Sequence, residues 1–317
     1  MDDKDLSFQM QPLRMSQAEF WATPSAQPPI DLEQAPPFNT CYLDYSEYGT
    51  FTLNRISMTD AVQGHLLDCG FISTVAAIAN TCPAYINKIM TNKKDGTYDV
   101  KFFSSATCST PMSPVTISVD SHLPIKKPAG VTDCETWVNS VESGPLSGFV
   151  FPPALTPIYA HSLDVSPKQE LWSGLLEKAY AKYTYGTICG PRNNGDYDST
   201  ESRNAITSFR VLFGQSPTVL DPSEFSAEER WAQLHVALGA RKVVVAYWKS
   251  RDHWVPLTGF TTNGSGSGQE VLVAWNQQFD SHTYKYFTFT DFMNDIGAAY
   301  YGFPQQCSIA NGICTCD

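Results

Sequence analysis

The sequence has no long hydrophobic run. None of its 317 residues lies in a stretch of about 18 consecutive apolar residues, the length that a membrane-spanning helix needs. The first residues, MDDKDLSFQMQPLR, also lack the basic segment and the following apolar segment of a signal peptide. We therefore expect no membrane span and a cytoplasmic location, with secretion as the alternative.

Positive charge is scarce. Lys and Arg together number 21 and Asp and Glu together number 32, which gives a net charge of -11 at pH 7. Proteins that bind nucleic acids or anionic membranes concentrate Lys and Arg on one face, because phosphate groups must be neutralised. The charge balance therefore argues against a nucleic-acid partner, and the hydrophobic content of 42% is that of an ordinary globular protein.

No two cysteines have the Cys-x-x-Cys spacing that is typical of zinc ligands, although the chain contains nine cysteines. We therefore predict no zinc site. The odd number leaves two interpretations open. In an oxidising compartment disulfides would leave one thiol unpaired, whereas in a reducing compartment all nine cysteines would stay reduced.

The chain shows no internal repeat, and its composition divides it into three segments. Residues 1–38 are rich in Pro, Gln and Ser and predict an extended N-terminal arm. Residues 39–189 contain two long helix patterns, one beginning near Cys69 and one from Leu171 to Tyr183 with a single apolar face. Residues 190–317 contain four strand patterns, KVVVAYW, HWVPLTGF, EVLVAWN and YKYFTFT. This order predicts an α+β fold with a helix-led lobe that carries Cys69 and a second lobe built on an antiparallel sheet.

One cysteine has the surroundings that a reactive thiol requires. Cys69 stands where the apolar run DCGFISTVAAIA begins, and the free N–H groups at a helix start favour a thiolate. Cys82 lies at the far end of this run, where the helix dipole disfavours an anion. Gln63 precedes Cys69 closely enough for its amide to join the backbone N–H of Cys69 as donors to an oxyanion. The ordinary alternative is a structural cysteine and a surface glutamine.

A base and an orienting residue are found in the second half of the chain. His253 begins the strand pattern HWVPLTGF, and a neutral imidazole can take a proton from a thiol and later return it to a leaving amine. Asn276 ends the pattern VLVAWN, so a hairpin of these two strands would place its side chain near the imidazole. Asp280 is a weaker alternative as the orienting residue. A structural histidine and a turn asparagine are the ordinary alternatives for these two positions.

These residues stand in motifs that resemble the catalytic core of the calpain family. QGHLLDCGF, which contains Gln63 and Cys69, resembles the calpain signature QGxLGDCWF. DGTYDVKFF, VTISVDSHLP and ELWSGLLEKAYAKYTYGT resemble further calpain segments in the same order. RDHWVPLTGF and VLVAWN resemble the strands that carry the catalytic histidine and asparagine of that family. The resemblance extends from about residue 40 to about residue 300.

The resemblance implies a papain-like fold of two lobes with the active site in the cleft between them. Cys69 would be the nucleophile, His253 its base, and Asn276 the residue that orients this base. Gln63 would help to hold the oxyanion. The implied activity is that of a cysteine endopeptidase, which hydrolyses peptide bonds of a protein or peptide substrate through a thioester acyl-enzyme.

Several positions differ from the calpain pattern. Gly70 replaces the tryptophan that follows the nucleophile, and Gln277 and Gln278 replace the Pro-Trp pair that follows the catalytic asparagine. In the family that second tryptophan shields the catalytic residues. Trp254 or Trp275 is the candidate to replace it.

Calpains also carry calcium sites in this core. Asp60 and Glu177 match positions of the first-lobe site, whereas Arg55 stands where backbone carbonyls would approach the ion. No cluster of carboxylates marks a second site. We therefore expect no required cofactor, with calcium as the one candidate.

Two other functions remain open on the same fold. The acyl group could be transferred to an amine instead of water, which would make the protein an acyl transferase or peptide ligase. The changed tryptophan positions are also compatible with a non-catalytic pseudoprotease that holds a peptide in its cleft.

Overall fold

The computed structural model of the chain describes residues 40–45, 49–52, 55–64, 66–104, 112–127, 130–142, 157, 160–161, 169–183, 204–262, 269–278, 283–303, 307–310 and 313–316. The predicted arm at residues 1–38 and Asp280 lie outside the described residues. The helices are α1 (Cys69–Thr81), α2 (Pro83–Ile89), α3 (Cys134–Glu142), α4 (Trp172–Tyr183), α5 (Ala205–Phe213), α6 (Ala227–Gly239) and α7 (Phe289–Asp295). The strands of the first half are β1 (Thr40–Asp44), β2 (Gly49–Thr50), β3 (Met90–Asn92), β4 (Thr97–Ser104), β5 (Ser113–Asp120), β6 (His122–Lys126) and β7 (Gln169–Glu170). The later strands are β8 (Thr218–Leu220), β9 (Val243–Trp248), β10 (His253–Thr262), β11 (Glu270–Asn276), β12 (Thr283–Phe287), β13 (Ile296–Gly302), β14 (Cys307–Ala310) and β15 (Ile313–Cys316).

The central helix α1 begins at Cys69, so the predicted helix start is confirmed. Residues 70–79 are all buried, which explains why the sequence there contains mainly small and apolar side chains. The carbonyl of Asp68 accepts a hydrogen bond from the N–H of Phe71 at 2.8 Å, and this bond opens the helical ladder. Pro83 is the first residue of α2, where its missing N–H costs no intrahelical hydrogen bond.

Helix α4 is buried on nearly all sides. The sequence predicted one apolar face, and this detail is wrong, because Ser173, Glu177 and Ala181 are also buried. The reason is that α4 packs against α1, β4, β5 and β6 together. Gly174 permits this close approach, since a Cβ atom there would lie 2.7 Å from the carbonyl oxygen of Ala160.

The first half of the chain also contains small sheets. β3, β4 and β5 form a three-stranded antiparallel sheet, and β1 pairs with β6 in antiparallel fashion. The predicted strands TYDVKFF and VTISVD correspond to β4 and β5 and are confirmed. The only parallel pair of strands among the described residues is the two-residue contact of β2 with β7.

The second half is built on a six-stranded sheet in the order β12-β11-β10-β9-β13-β8. Every neighbouring pair in it is antiparallel. The four predicted strands all form, although the last one ends at Phe287 and α7 follows it. β10 and β11 form the predicted hairpin, with a register irregularity between Leu257 and Gly259. The predicted α+β class with antiparallel sheets is therefore confirmed.

The described residues form two large hydrophobic clusters and a small third one around Leu66 and Ala181. The larger one combines α1, α4 and β4 with residues from the second half, among them Val245, Trp275 and Tyr300. Helix α5 also contributes to it, although α5 lies beyond the predicted lobe boundary at residues 189 and 190. The second cluster lies between the six-stranded sheet and helices α6 and α7. α1 therefore packs directly on β9 and β10, which brings its first residue to the sheet.

Disulfides are present among the described cysteines. Cys41 is bonded to Cys134, which links β1 to the start of α3 across 93 residues of sequence. Cys82 is also disulfide-bonded, while Cys69 has a free thiol. The interpretation in which all nine cysteines stay reduced therefore does not hold for this structure.

A membrane-spanning helix needs about 18 or more residues of high mean hydropathy, and the helices of the described segments fall short of this. No single helix meets both requirements. α1 and α2 meet them only when taken together, and the chain bends by 116° between them.

Candidate active site

Cys69 is the first residue of α1 and is partly buried. Its thiol lies at a helix N-terminus, where unpaired backbone N–H groups carry partial positive charge. The N–H of Gly70 interacts with this thiol and lowers its pKa. The sequence prediction that Cys69 stands at a helix start is therefore confirmed by the fold.

The thiol of Cys69 also reaches the six-stranded sheet. It lies within hydrogen-bonding range of the backbone N–H of Trp254, the residue that directly follows His253 in β10. Helix α1 and strand β10 thus bring together two positions that are far apart in the sequence. The thiol of the nucleophile candidate therefore lies against the residue that follows the base candidate, at the point where β10 begins.

His253 is the first residue of β10 and is only 4% exposed. The side chains of Asn276 and Gln277 lie beside its imidazole and favour the protonated ring. Its Nε2 atom is buried and makes no hydrogen bond of ordinary length among the described residues. Burial is the strongest influence on this ring, and it lowers the pKa of His253 to about 4.

Burial is also the strongest influence on the pKa of the Cys69 thiol. It raises the pKa of Cys69 to about 11, with smaller contributions in the same direction from the carboxylates of Asp68 and Asp252. The N–H groups of Trp254 and Gly70 oppose this rise. Both the thiol and the imidazole of His253 are therefore neutral near pH 7. The thiolate expected from the helix start does not form in this structure, because burial outweighs the N–H groups.

Asn276 is the last residue of β11 and is 4% exposed. It follows the part of β11 that pairs with β10, and its side chain lies beside the imidazole of His253, as the hairpin prediction required. The N–H of Gln278 approaches the Asn276 Oδ1 atom at 3.4 Å. Asn276 therefore occupies a position from which its amide can orient the imidazole of His253.

Gln63 lies in the segment that leads into α1 and is also buried. Its Nε2 donates a hydrogen bond to the carbonyl of Leu66, and its Oε1 has no partner among the described residues. The amide that was predicted to bind an oxyanion is thus engaged by its own loop. Release of the carbonyl of Leu66 would free this donor.

Two residues near the site were not identified as functional from the sequence. Gln277 is completely buried and contacts both His253 and the segment of Gln63. Its only signal in the sequence was that it replaces the proline of the calpain pattern. Asp252 was also missed, and its carboxylate lies close enough to affect the pKa of both Cys69 and His253.

The conformation of Asp252 is unusual. Its backbone has φ 48° and ψ 50°, a left-handed conformation in which Asp and Asn are tolerated better than most residues. The hydroxyl of Tyr247 donates a hydrogen bond to its carboxylate. This turn closes the short helical segment of residues 249–251 and directs the chain into His253.

The two candidate shielding tryptophans have different neighbours. The ring of Trp254 lies 4.8 Å from the ring of Tyr300 and 5.5 Å from that of Tyr247, measured between centroids. Trp275 is 5% exposed and packs its ring edge-to-face with Tyr284. Trp254 is the one whose backbone touches the thiol, so it is the better placed of the two.

The two candidate calcium positions are engaged by protein groups in this structure. One carboxylate oxygen of Asp60 accepts the N–H of Ser57 at 2.7 Å in a capping box. Glu177 accepts the N–H of Ala160 at 3.0 Å, and burial followed by the nearby Asp68 raises its pKa well above the usual range. A carboxyl group that holds its proton is a poor calcium ligand. The described residues contain no group of three or more His, Cys, Asp or Glu side chains that could hold a metal ion.

Comparison with known protein families found no family whose model matches the chain. Comparison with curated proteins likewise found none that matches it. The assignment of a function therefore depends on the geometry around Cys69 and on the motifs in the sequence.

Proposed function

We propose that the protein is a calpain-like cysteine endopeptidase with a papain-like arrangement of two lobes. The observation that carries the proposal is the contact of the Cys69 thiol with the backbone of Trp254, next to His253. The side chain of Asn276 beside the imidazole of His253 adds the third member of a Cys-His-Asn group. A helix that bears the cysteine and an antiparallel sheet that bears the other two residues support the two-lobed arrangement.

The first half of the reaction forms a thioester. His253 accepts the thiol proton while the Cys69 sulfur attacks the carbonyl carbon of the scissile peptide bond. The resulting oxyanion is stabilised by the backbone N–H of Cys69 and by the Gln63 amide after this amide leaves the carbonyl of Leu66. The C–N bond then breaks, and the imidazolium returns its proton to the departing amine.

The second half of the reaction hydrolyses the thioester. His253 removes a proton from a water molecule, and the oxygen of this water attacks the carbonyl carbon. When the C–S bond breaks, the sulfur takes the proton back and the acid product leaves. Because burial raises the pKa of Cys69 and lowers that of His253, we expect the proton transfer to accompany the attack of the sulfur.

The two alternative functions, an acyl transferase and a non-catalytic pseudoprotease, are each supported by a different observation. A base that is 4% exposed limits the access of water, which would favour transfer of the acyl group to an amine. The engagement of the Gln63 amide by Leu66 would suit a pseudoprotease that no longer stabilises an oxyanion. Both alternatives are outcomes of the experiment below.

The test compares the wild-type protein with Cys69→Ala and His253→Ala on a library of unstructured peptides and on casein. His122→Ala is the matched control, because His122 is exposed on the first half of the chain. Mass spectrometry should show hydrolysis products with the wild type and the control, and none with the other two variants. Products joined to an added amine would identify an acyl transferase. Peptide binding without any product, unaffected by Cys69→Ala, would identify a pseudoprotease and overturn the endopeptidase proposal.

We also propose that the chain folds in an oxidising compartment, because stable disulfides such as Cys41–Cys134 are rare in reducing ones. The cytoplasmic location expected from the first residues stays the competing prediction. Alkylation of the protein from its native source, followed by peptide mapping, separates the two. Labelling of Cys69 without labelling of Cys41, Cys82 or Cys134 is expected. Full labelling of these cysteines would support the cytoplasm instead.

A further inference from the structure

Gln277 connects the base candidate with the segment that precedes the nucleophile. It directly follows Asn276 at the end of β11 and has no exposed surface. Its backbone carbonyl accepts a hydrogen bond from the N–H of Gln63 at 2.8 Å. Gln63 and Gln278 form an isolated parallel bridge at the same place. The end of β11 is therefore tied to the segment that was expected to hold the oxyanion.

The side chain of Gln277 is fixed by a second hydrogen bond. Its Nε2 atom donates to the carbonyl of Trp254 at 2.9 Å. This bond is made to the residue whose own N–H faces the Cys69 thiol. With Nε2 engaged in this way, the orientation of the amide plane is set, and so is the position of Oε1.

The Oε1 atom of Gln277 is a buried acceptor without a hydrogen bond of ordinary length among the described residues. It lies beside the imidazole of His253, and its effect is to favour the protonated ring. Buried polar atoms normally find a partner, so an acceptor left over at this place needs an explanation. An imidazolium would supply the missing N–H, and it forms at the moment when the thiol gives up its proton.

We propose that Gln277 is a positioning residue that orients His253 together with Asn276 and couples the base to the Gln63 segment. It stabilises the imidazolium that forms during attack by accepting its N–H. The inference rests on the proposed function, since only a reaction that protonates His253 uses this acceptor. Gln277 acts through His253 and does not touch the substrate.

The test uses two substitutions of similar size. Gln277→Met removes the Oε1 acceptor and keeps the length of the side chain, while Gln277→Glu keeps an acceptor and adds negative charge. Gln278→Met is the matched control, because Gln278 is exposed and the substitution keeps its backbone contacts with Asn276 and Gln63. The pKa of His253 is followed by NMR titration of the imidazole in a Cys69→Ala background. This measurement requires no turnover.

We expect Gln277→Met to lower the pKa of His253 and Gln277→Glu to raise it, with Gln278→Met unchanged. In peptide hydrolysis Gln277→Met should reduce kcat by about 10- to 100-fold with little change in KM, the range for loss of one hydrogen bond to a charged group. Thermal unfolding of each variant shows whether the fold is retained. If Gln277→Met does not fold, the pKa of His253 in Gln277→Glu serves as the test. A raised pKa supports the inference, and an unchanged pKa contradicts it.

Identical imidazole titrations in all three variants would overturn the inference and leave Gln277 as an ordinary packing residue. If the wild type hydrolyses no peptide while the two titrations still shift in opposite directions, the endopeptidase proposal fails and the contact of Gln277 with His253 stands. The two failures are therefore distinguishable.

Discussion

The carboxyl groups of Asp68 and Glu177 lie close enough in the interior to affect each other's ionisation, and Asp68 is the residue that caps the start of α1. Both residues have no exposed surface. Two adjacent carboxylates cannot both be ionised at low cost in such a place, so the pair shares a proton. Asp68 precedes the nucleophile candidate Cys69, so this pair lies next to the candidate active site.

Glu177→Gln is expected to change how the stability of the protein depends on pH. Burial and then Asp68 raise the pKa of Glu177, so the folded chain keeps a proton that the unfolded chain releases near pH 4. The stabilisation is present below that pH and is lost as pH rises toward the folded pKa. Glutamine cannot ionise, so the variant should lose this decline. Urea unfolding between pH 4 and pH 9 measures the free energy of unfolding of the variant and of the wild type.

Two further variants serve as controls for that measurement. Glu135→Gln makes the same change at an exposed position and should keep the wild-type pH dependence. Glu177→Ala should lower the free energy of unfolding by about 1–3 kcal/mol, because the backbone N–H of Ala160 and the carboxyl of Asp68 lose their partner. Equal pH slopes for Glu177→Gln and the wild type would contradict a shared proton.

The pH profile of peptide hydrolysis should fall at low pH. His253 must be neutral to accept the thiol proton, and burial lowers its pKa to about 4. Activity is then retained above about pH 4 and is lost as pH drops through this value. The measurement is kcat/KM of the wild type between pH 3 and pH 9. An acid limb near the ordinary histidine value of about 6.5 would show that the imidazole is hydrated in the free enzyme.

Asp252→Asn should lower the pKa of both reacting groups. The carboxylate of Asp252 raises the pKa of Cys69 and that of His253, and asparagine keeps the side-chain shape without the charge. Asparagine also tolerates the left-handed backbone of this residue. The alkylation rate of Cys69 at a fixed alkaline pH should increase, and the acid limb of hydrolysis should move to lower pH. The same substitution at half-buried Asp99 on β4 is the control, and equal shifts at both positions would contradict a local effect.

Asn276→Ala should reduce kcat by about 100-fold, because the imidazole of His253 loses the side chain that orients it. Alkylation of Cys69 should change far less than kcat, since the thiol keeps its contacts with Trp254 and Gly70. Asn92→Ala on β3 is the matched control and should keep the wild-type kcat. A variant with full activity would remove Asn276 from the catalytic group.

The positions of the main elements followed from local patterns. The small apolar run after Asp68 predicted α1, and alternating or β-branched residues predicted β9, β10 and β11. These patterns are local, because a helix or strand repeats its buried face every few residues. The α+β class was therefore available from the amino-acid sequence alone, and the four candidates Gln63, Cys69, His253 and Asn276 came from motifs that resemble the calpain core.

Tertiary packing decided the properties that depend on burial and on distant contacts. The sequence does not indicate that α1 packs on β10, and this contact places the Cys69 thiol against Trp254 and leaves the thiol and the imidazole of His253 neutral. The role of Gln277 was hidden for the same reason, since its partner Gln63 lies more than two hundred residues away. Charge states and hydrogen bonds between distant segments are properties of the folded interior, because only there does the exclusion of water set their energy.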